Sequence, residues 1–135
     1  MKREIRNRPG AVKLLAVLGL VFSCSVQATP MTMTVTASAY NSLPKQTNEH
    51  PSRTAWGDEL RPGMKAIAVS RDLLQAGLSY GSWVRIEGLP GRYRVLDKMH
   101  SRWSRKIDIY MGKNRQAALE WGVRPVRISW EARAD

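Results

Sequence analysis

Met31–Tyr40 reads MTMTVTASAY, with Met, Met, Val, Ala and Ala alternating against Thr and Ser. Side chains on a strand point to opposite faces in turn, so this run predicts a half-buried strand. Asn41–Asp58 is polar, with Pro44, Pro51 and Gly57, and reads as a long loop. Loops of that length inside a compact domain tend to be functional. Arg61-Pro62-Gly63-Met64 predicts a turn into a short buried strand, Ala66–Val69. Arg71–Ala76 fits one helical turn closed by Gly77. Ser82–Glu87 alternates again, with Trp83, Arg85 and Glu87 on one face and Val84 and Ile86 on the other. Leu89-Pro90-Gly91 turns the chain into Arg92–Leu96, and Ile107–Tyr110 is another strand-like run. Gly112–Trp121 is the clearest helix: Ala117, Ala118 and Trp121 share a face, and Gly122 is placed as a cap. Val126–Trp130 is the last strand, and Ala132–Asp135 reads as a frayed tail. About six short strands with one or two short helices predict a mainly β, six-stranded, mostly antiparallel barrel.

Targeting changes how the first residues are read. Lys2, Arg3, Arg6, Arg8 and Lys13 precede the apolar run Leu14–Phe22, which is short for a bilayer span. Val26-Gln27-Ala28 offers small or modest residues before a cut, so residues 1–28 are expected to be a signal peptide and residues 29–135 a single domain. An uncleaved anchor is the alternative, and Val21-Phe22-Ser23-Cys24 leaves lipidation at Cys24 open. The expected localisation is export to the periplasm or cell envelope, with outer-membrane association open. Cleavage after Ala28 would remove the one cysteine, so packing and not disulfides must hold the mature domain together.

Removing residues 1–28 takes the formal net charge from +11 to +7. Outside the inner membrane, a basic surface points to the carboxylates of peptidoglycan or to lipid headgroups. The basic residues are scattered and no recognition motif is present, which argues against nucleic acid as a partner. His50 and His100 are isolated, so no metal or other cofactor is implied, and no serine sits in a nucleophile-elbow pattern. The five tryptophans divide into two groups. Trp83, Trp130 and Trp121 lie in strand or helix runs and are expected to pack, whereas Trp56 and Trp103 lie in polar loops, suited to stacking on sugar rings or to anchoring the loop.

Val95–Met111 carries the candidate chemistry. Asp97 and Asp108 each stand at or in a strand, and between them lie Lys98, His100, Arg102, Trp103, Arg105 and Lys106. Asp108 interrupts the apolar Ile107–Tyr110 run, which leaves its carboxylate on the face away from the isoleucines. A strand carboxylate beside basic and aromatic groups suits acid/base work on a sugar; the competing reading is a solvated aspartate paired with Arg or Lys.

Several segments together resemble a known family. They are Val35–Tyr40, Trp56-Gly57-Asp58, Leu60–Val69, Gly81–Gly88, the aspartates Asp97 and Asp108 with ten residues between them, and Ala117–Gly122. The sequence over about residues 33–130 is similar to the 3D domain, found in lytic transglycosylases of the MltA type and in spore-resuscitation cell-wall factors. The resemblance implies a double-psi β-barrel acting on peptidoglycan glycan strands, with no cofactor. It implies cleavage between N-acetylmuramic acid and N-acetylglucosamine with formation of a 1,6-anhydro ring. By the same resemblance Asp108 matches the acid/base position, with Asp97 as its partner, and Tyr40, Trp56, Lys98, Trp103 and Arg105 are expected to bind substrate. Two positions depart from the family pattern. Ser70 stands where an aspartate is usual, with Asp72 the nearest acid, and Lys98-Met99-His100 replaces Thr-Gly-Gly. The alternative function is a non-catalytic peptidoglycan-binding module that assists other cell-wall proteins.

Overall fold

The computed structural model describes residues 10, 16–23, 27–43 and 50–132. Most of the expected signal segment, Cys24, the middle of the long loop and the last three residues lie outside these. No helix among the described residues is long and apolar enough to cross a membrane.

Among the described residues the elements run β1 (Thr29–Tyr40), β2 (Ala66–Val69), α1 (Arg71–Gln75), β3 (Trp83–Ile86), β4 (Tyr93–Lys98), β5 (Lys106–Tyr110), α2 (Arg115–Trp121) and β6 (Arg124–Ala132). The strands close into a barrel in the order β1-β5-β2-β4-β3-β6. Two neighbouring pairs, β1/β5 and β2/β4, are parallel, and the other four are antiparallel. This is the expected mainly β, six-stranded barrel with two short helices, and its closed form fits a double-psi barrel. A parallel pair cannot be joined by a hairpin, so the chain must cross over to make each of these two.

The alternation that predicts the strands also builds the core. Val35 and Ala37 of β1, Ile67 and Val69 of β2, Val84 and Ile86 of β3, Val95 of β4, Ile107 and Ile109 of β5, and Val126, Ile128 and Trp130 of β6 are all buried in one cluster. Leu73 and Leu78, in and after α1, close one part of it. Trp121 at the end of α2 closes another, and its indole Nε1–H donates to the Ala37 carbonyl at 3.2 Å. A second, smaller cluster of Leu60, Ala66, Leu96 and Tyr110 joins the 50–65 segment to the barrel.

Three expectations need correction. Trp83 is not core: it is 48% exposed, because strict alternation in β3 turns Val84 and Ile86 inward and Trp83 outward with Arg85. The helix expected from Gly112 starts at Arg115, because Gly112 has a left-handed φ of 59° and the Asn114 side chain accepts the Ala117 amide as the cap. The last strand also runs further than expected, since Ala132 pairs with Thr29 instead of fraying.

Candidate functional site

One irregularity of the sheet creates the site. Ile67 pairs with Val95, but the register between β2 and β4 then shifts, and Ala68 pairs with Asp97. Without that bulge Leu96 would face Ala68, and Asp97 would follow Val95 into the core two residues later. With it, Leu96 joins the outer cluster of Leu60, Ala66 and Tyr110, and Asp97 comes to the outer face.

On the other side of β2, Ala68 pairs with Asp108, and Asp108 pairs across β5 with Ser38 of β1. Ser38, Asp108, Ala68 and Asp97 therefore form one lateral row across four strands. Two carboxylates stand on either side of a single methyl group, with a hydroxyl at the end. The Ser38 hydroxyl donates to Asp108 Oδ1 at 3.1 Å. The backbone amides of Ala55 and Lys98 donate to Asp97 Oδ1 at 2.8 and 2.9 Å.

Both carboxyls are held above the ordinary carboxylate range. Burial is the largest cause at Asp108, and the Asp97 charge adds to it, while the Ser38 hydrogen bond and the Lys106 ammonium oppose it. Burial leads at Asp97 too, opposed first by the Ala55 and Lys98 amides, with the Asp58 charge raising it further. Asp108 is thus a desolvated, hydrogen-bonded group, not a freely solvated strand residue. Lys106 is the cation that acts on it, and its Nζ sits 3.6 Å over the Trp103 ring.

Tyr40 closes one side of the row. Its ring lies 5.5 Å from that of Tyr110, and its hydroxyl is buried with no hydrogen-bond partner. Burial pushes the phenol far up, and the charges of Asp97 and Asp108 push it the same way. The phenol therefore stays protonated and offers an unused donor next to two carboxylates.

Each loop tryptophan is tied to one of the two aspartates through its neighbours: Trp56 follows Ala55, whose amide binds Asp97, and Trp103 carries Lys106, whose charge acts on Asp108. Trp56 is 37% exposed, packs edge-on against Tyr80 with ring centroids 5.0 Å apart, and has the Lys98 Nζ at 5.6 Å. Its turn is clasped by Thr54, whose hydroxyl accepts the Asp58 amide at 3.0 Å, and Tyr80 Oη donates to Asp58 Oδ1 at 2.8 Å. Trp103 is 38% exposed and carries Lys106 together with the Arg102 guanidinium at 5.0 Å.

Arg105 has φ of 48°, the one positive φ outside glycine among the described residues. Its amide and the Ser104 hydroxyl both donate to Asp72 Oδ2, at 2.9 and 3.3 Å. Burial works against ionisation of Asp72, but hydrogen bonds led by Ser70 outweigh it and hold the carboxyl below its usual range. Asp72 is therefore the clamp of the turn that enters β5. Ser70 is fully buried, and its Oγ accepts the Lys106 amide at 3.0 Å. A neutral hydroxyl thus meets the backbone donor at the position where the resembled family carries an aspartate.

The structure brings Asp97, Asp108 and Tyr40 together, sets Trp56 and Lys98 beside Asp97, and sets Trp103 near Asp108 through Lys106. Arg105 enters mainly through its backbone. Sequence reasoning missed Ser38, Ala68, Asp58 and Tyr80. The alternation of β1 puts Ser38 on the face of Tyr40, which is a signal, but the pairing with a residue 70 positions away is not local. Among the described residues no group of three His, Cys, Asp or Glu is placed to hold a metal ion.

No protein-family profile matches the sequence, and no curated protein matches it. Solved structures do. The apo expansin of Clavibacter michiganensis is 19% identical over 78% of this chain and 52% of its own, with a TM-score of 0.49. A point mutant of a Clavibacter michiganensis expansin in complex with cellohexaose is 18% identical over 74% of this chain and 50% of its own, with a TM-score of 0.50. The chain spans about half the length of these structures, and the likeness to the cellohexaose complex is one of fold.

Proposed function

We propose that this is an exported cell-envelope protein whose carboxylate row binds a glycan strand of the wall, holding it in support of other wall proteins and not cutting it. The observation that carries this reading is the row itself: Asp97 and Asp108 flank Ala68 on an outer face, and Trp56 and Trp103 are exposed beside Lys98 and Lys106. Small side chains make a floor that a sugar chain can lie on, carboxylates accept from its hydroxyls, and exposed indoles stack on its pyranose faces. The expansin solved with cellohexaose shares the fold, which supports a polysaccharide as the ligand class. Lys98-Met99-His100 crowds the segment after Asp97, where glycines would let a glycan approach the backbone for cleavage. Co-sedimentation with purified peptidoglycan sacculi tests the reading. The protein should pellet with them, and Trp56→Ala combined with Trp103→Ala should abolish this; unchanged pelleting of that double variant would refute it.

A second reading is favoured by one observation: burial holds the Asp108 carboxyl above its ordinary range, as a general acid requires. On this reading the protein is a lytic transglycosylase of the 3D-domain kind. Asp108 protonates the leaving glycosidic oxygen and then takes the proton of the sugar's own C6 hydroxyl, which attacks the anomeric carbon. Mass spectrometry of sacculi digests decides between the two. Anhydro-muramyl products that vanish in Asp108→Ala would establish cleavage, and bound sacculi without products would establish holding.

A further inference from the structure

The barrel wall away from the carboxylate row has a different character. On the outer face, Trp83 of β3 pairs with Arg94 of β4, Arg85 pairs with Ser129 of β6, and Ser129 pairs with Thr32 of β1. These residues line a cleft of about 740 Å³, together with Arg92. Trp83 is 48% exposed, with the Arg92 and Arg94 guanidinium carbons 5.3 and 5.6 Å from its ring. The floor under them is made of the short hydroxyl side chains Thr32 and Ser129. Trp130, 4% exposed, forms part of the wall, and its Nε1–H has no hydrogen-bond partner. A neighbouring hollow adds Arg127 and Glu87 and shares Arg85 with the cleft.

We propose that this cleft is a second carbohydrate site, which takes an acidic glycan whose charges are carboxylates. One sugar ring stacks on Trp83, its carboxylate meets the forked donors of Arg92 and Arg94, and its hydroxyls reach Thr32 and Ser129. An indole beside two guanidiniums supplies an apolar platform and charge at the same spot, which an acidic sugar uses in full and a neutral sugar only in part. Four arginines, Arg85, Arg92, Arg94 and Arg127, are interspersed with two glutamates, Glu87 and Glu131. The glutamates repel either polyanion; the glycan is favoured by its ring hydroxyls, which Thr32 and Ser129 can meet and which a phosphodiester backbone does not offer. The site goes beyond the groove reading: of the residues named for the groove only Tyr80, which packs on Trp56, also borders the cleft, and the ligand is taken by other chemistry.

Isothermal titration calorimetry of the purified protein with oligogalacturonate tests it, with cellohexaose as the neutral probe and a single-stranded oligonucleotide as the phosphate probe. Oligogalacturonate should bind tightest, and Trp83→Ala and the pair Arg92→Gln/Arg94→Gln should each weaken it about tenfold or more. Trp83, Arg92 and Arg94 are exposed, so the variants should fold, and circular dichroism checks that they do. Asp97→Asn/Asp108→Asn should leave this binding intact even if it removes binding to sacculi. Equal affinity for cellohexaose, tighter binding of the oligonucleotide, retention of full affinity in both cleft variants, loss of affinity in the aspartate variant, or no binding of oligogalacturonate would each overturn the proposal.

Discussion

Neutralising Asp108 should stabilise the protein at neutral pH and do nothing at low pH. The perturbation is Asp108→Asn, which keeps an Oδ1 to accept from Ser38 and removes a charge held above the ordinary carboxylate range by burial and by Asp97. Asp97 and Asp108 are separated by β2, that is by two interstrand spacings, or about 10 Å between backbones. At an effective dielectric of about 20, two charges that far apart repel by about 1.7 kcal/mol, an upper figure before salt screening. Lys106 offsets part of this, while burial, the larger cause, adds to it. A net gain of about 1–2 kcal/mol at pH 7 follows, or roughly 5–10 °C in Tm for a domain of this size. The sign with pH is fixed by linkage. A carboxyl whose folded pKa is raised gives a contribution fully present below the unfolded value, about 3.9, and lost as pH rises through the folded value. The wild type therefore carries the cost only above that window, and the advantage of the variant should shrink to nothing as pH falls to about 3.5. Asp72, held low, follows the opposite course but is common to both proteins and cancels in the difference. Urea unfolding followed by tryptophan fluorescence between pH 3.5 and 7.5 measures this. A variant no more stable than wild type at pH 7, or one whose gain is the same at every pH, would refute the reasoning.

Three further substitutions separate structural from ligand roles. Tyr40→Phe removes a buried hydroxyl with no partner, so thermal unfolding should show unchanged or higher stability, by up to about 1 kcal/mol. Its binding to sacculi should weaken if the phenol is a ligand donor, and unchanged binding would remove Tyr40 from the site. Ser70→Ala leaves the part-buried Lys106 amide without its acceptor and should cost about 1–3 kcal/mol in urea unfolding, with a loss below 0.5 kcal/mol counting against that bond. Gly77→Ala places a Cβ 2.9 Å from that of Ala132 at a φ of 91°, so it should cost at least about 1 kcal/mol, visible as a lowered Tm.

The sequence shows most of the barrel and less of the site. β1, β2 and β3 are legible because alternation or a short apolar run between turn residues is a local signal, and their burial follows it except at the end of β1, where Ser38, Ala39 and Tyr40 are all half-buried. The closure order is not legible, because β1 meets β5 and β6 through pairings 60 or more positions apart in the chain. Trp83 was readable from its own strand: its alternation with Val84 already put it outside, and hydrophobic character alone argued for the core. Asp108 follows the pattern of its run, whereas Asp97 does not, since counting from Val95 sends it inward and the bulge at Leu96 reverses that. Ala68 carries no chemical signal of its own and matters only because two aspartates arrive on either side of it. His50 and His100 raise no expectation of chemistry in the sequence, and neither belongs to the row.

The electrostatics of the row also run against the charge of the whole chain. In a protein with twice as many basic as acidic residues, a carboxylate would be expected to find a cation and fall in pKa. Asp72 falls instead through backbone and hydroxyl donors, and Asp97 and Asp108 rise. Burial is the first reason at both aspartates, and the placement of the cations is the second. Lys98 stands near Trp56, Arg102 and Lys106 lie over Trp103, and Arg92 and Arg94 lie over Trp83, so much of the positive charge near the barrel surface is set against indole faces. A cation over a ring keeps its long-range field but gives less of its hydrogen-bonding capacity to a carboxylate. The aspartates are thereby left poorly compensated on a floor of Ser38 and Ala68, ready to accept hydrogen bonds from the hydroxyls of a neutral sugar face. The same fold then presents four arginines against two glutamates on the face that holds Trp83. A glycan carrying both hydroxyls and acids would find each matched on a different side of one barrel, and an arrangement that paired the charges internally would hold neither.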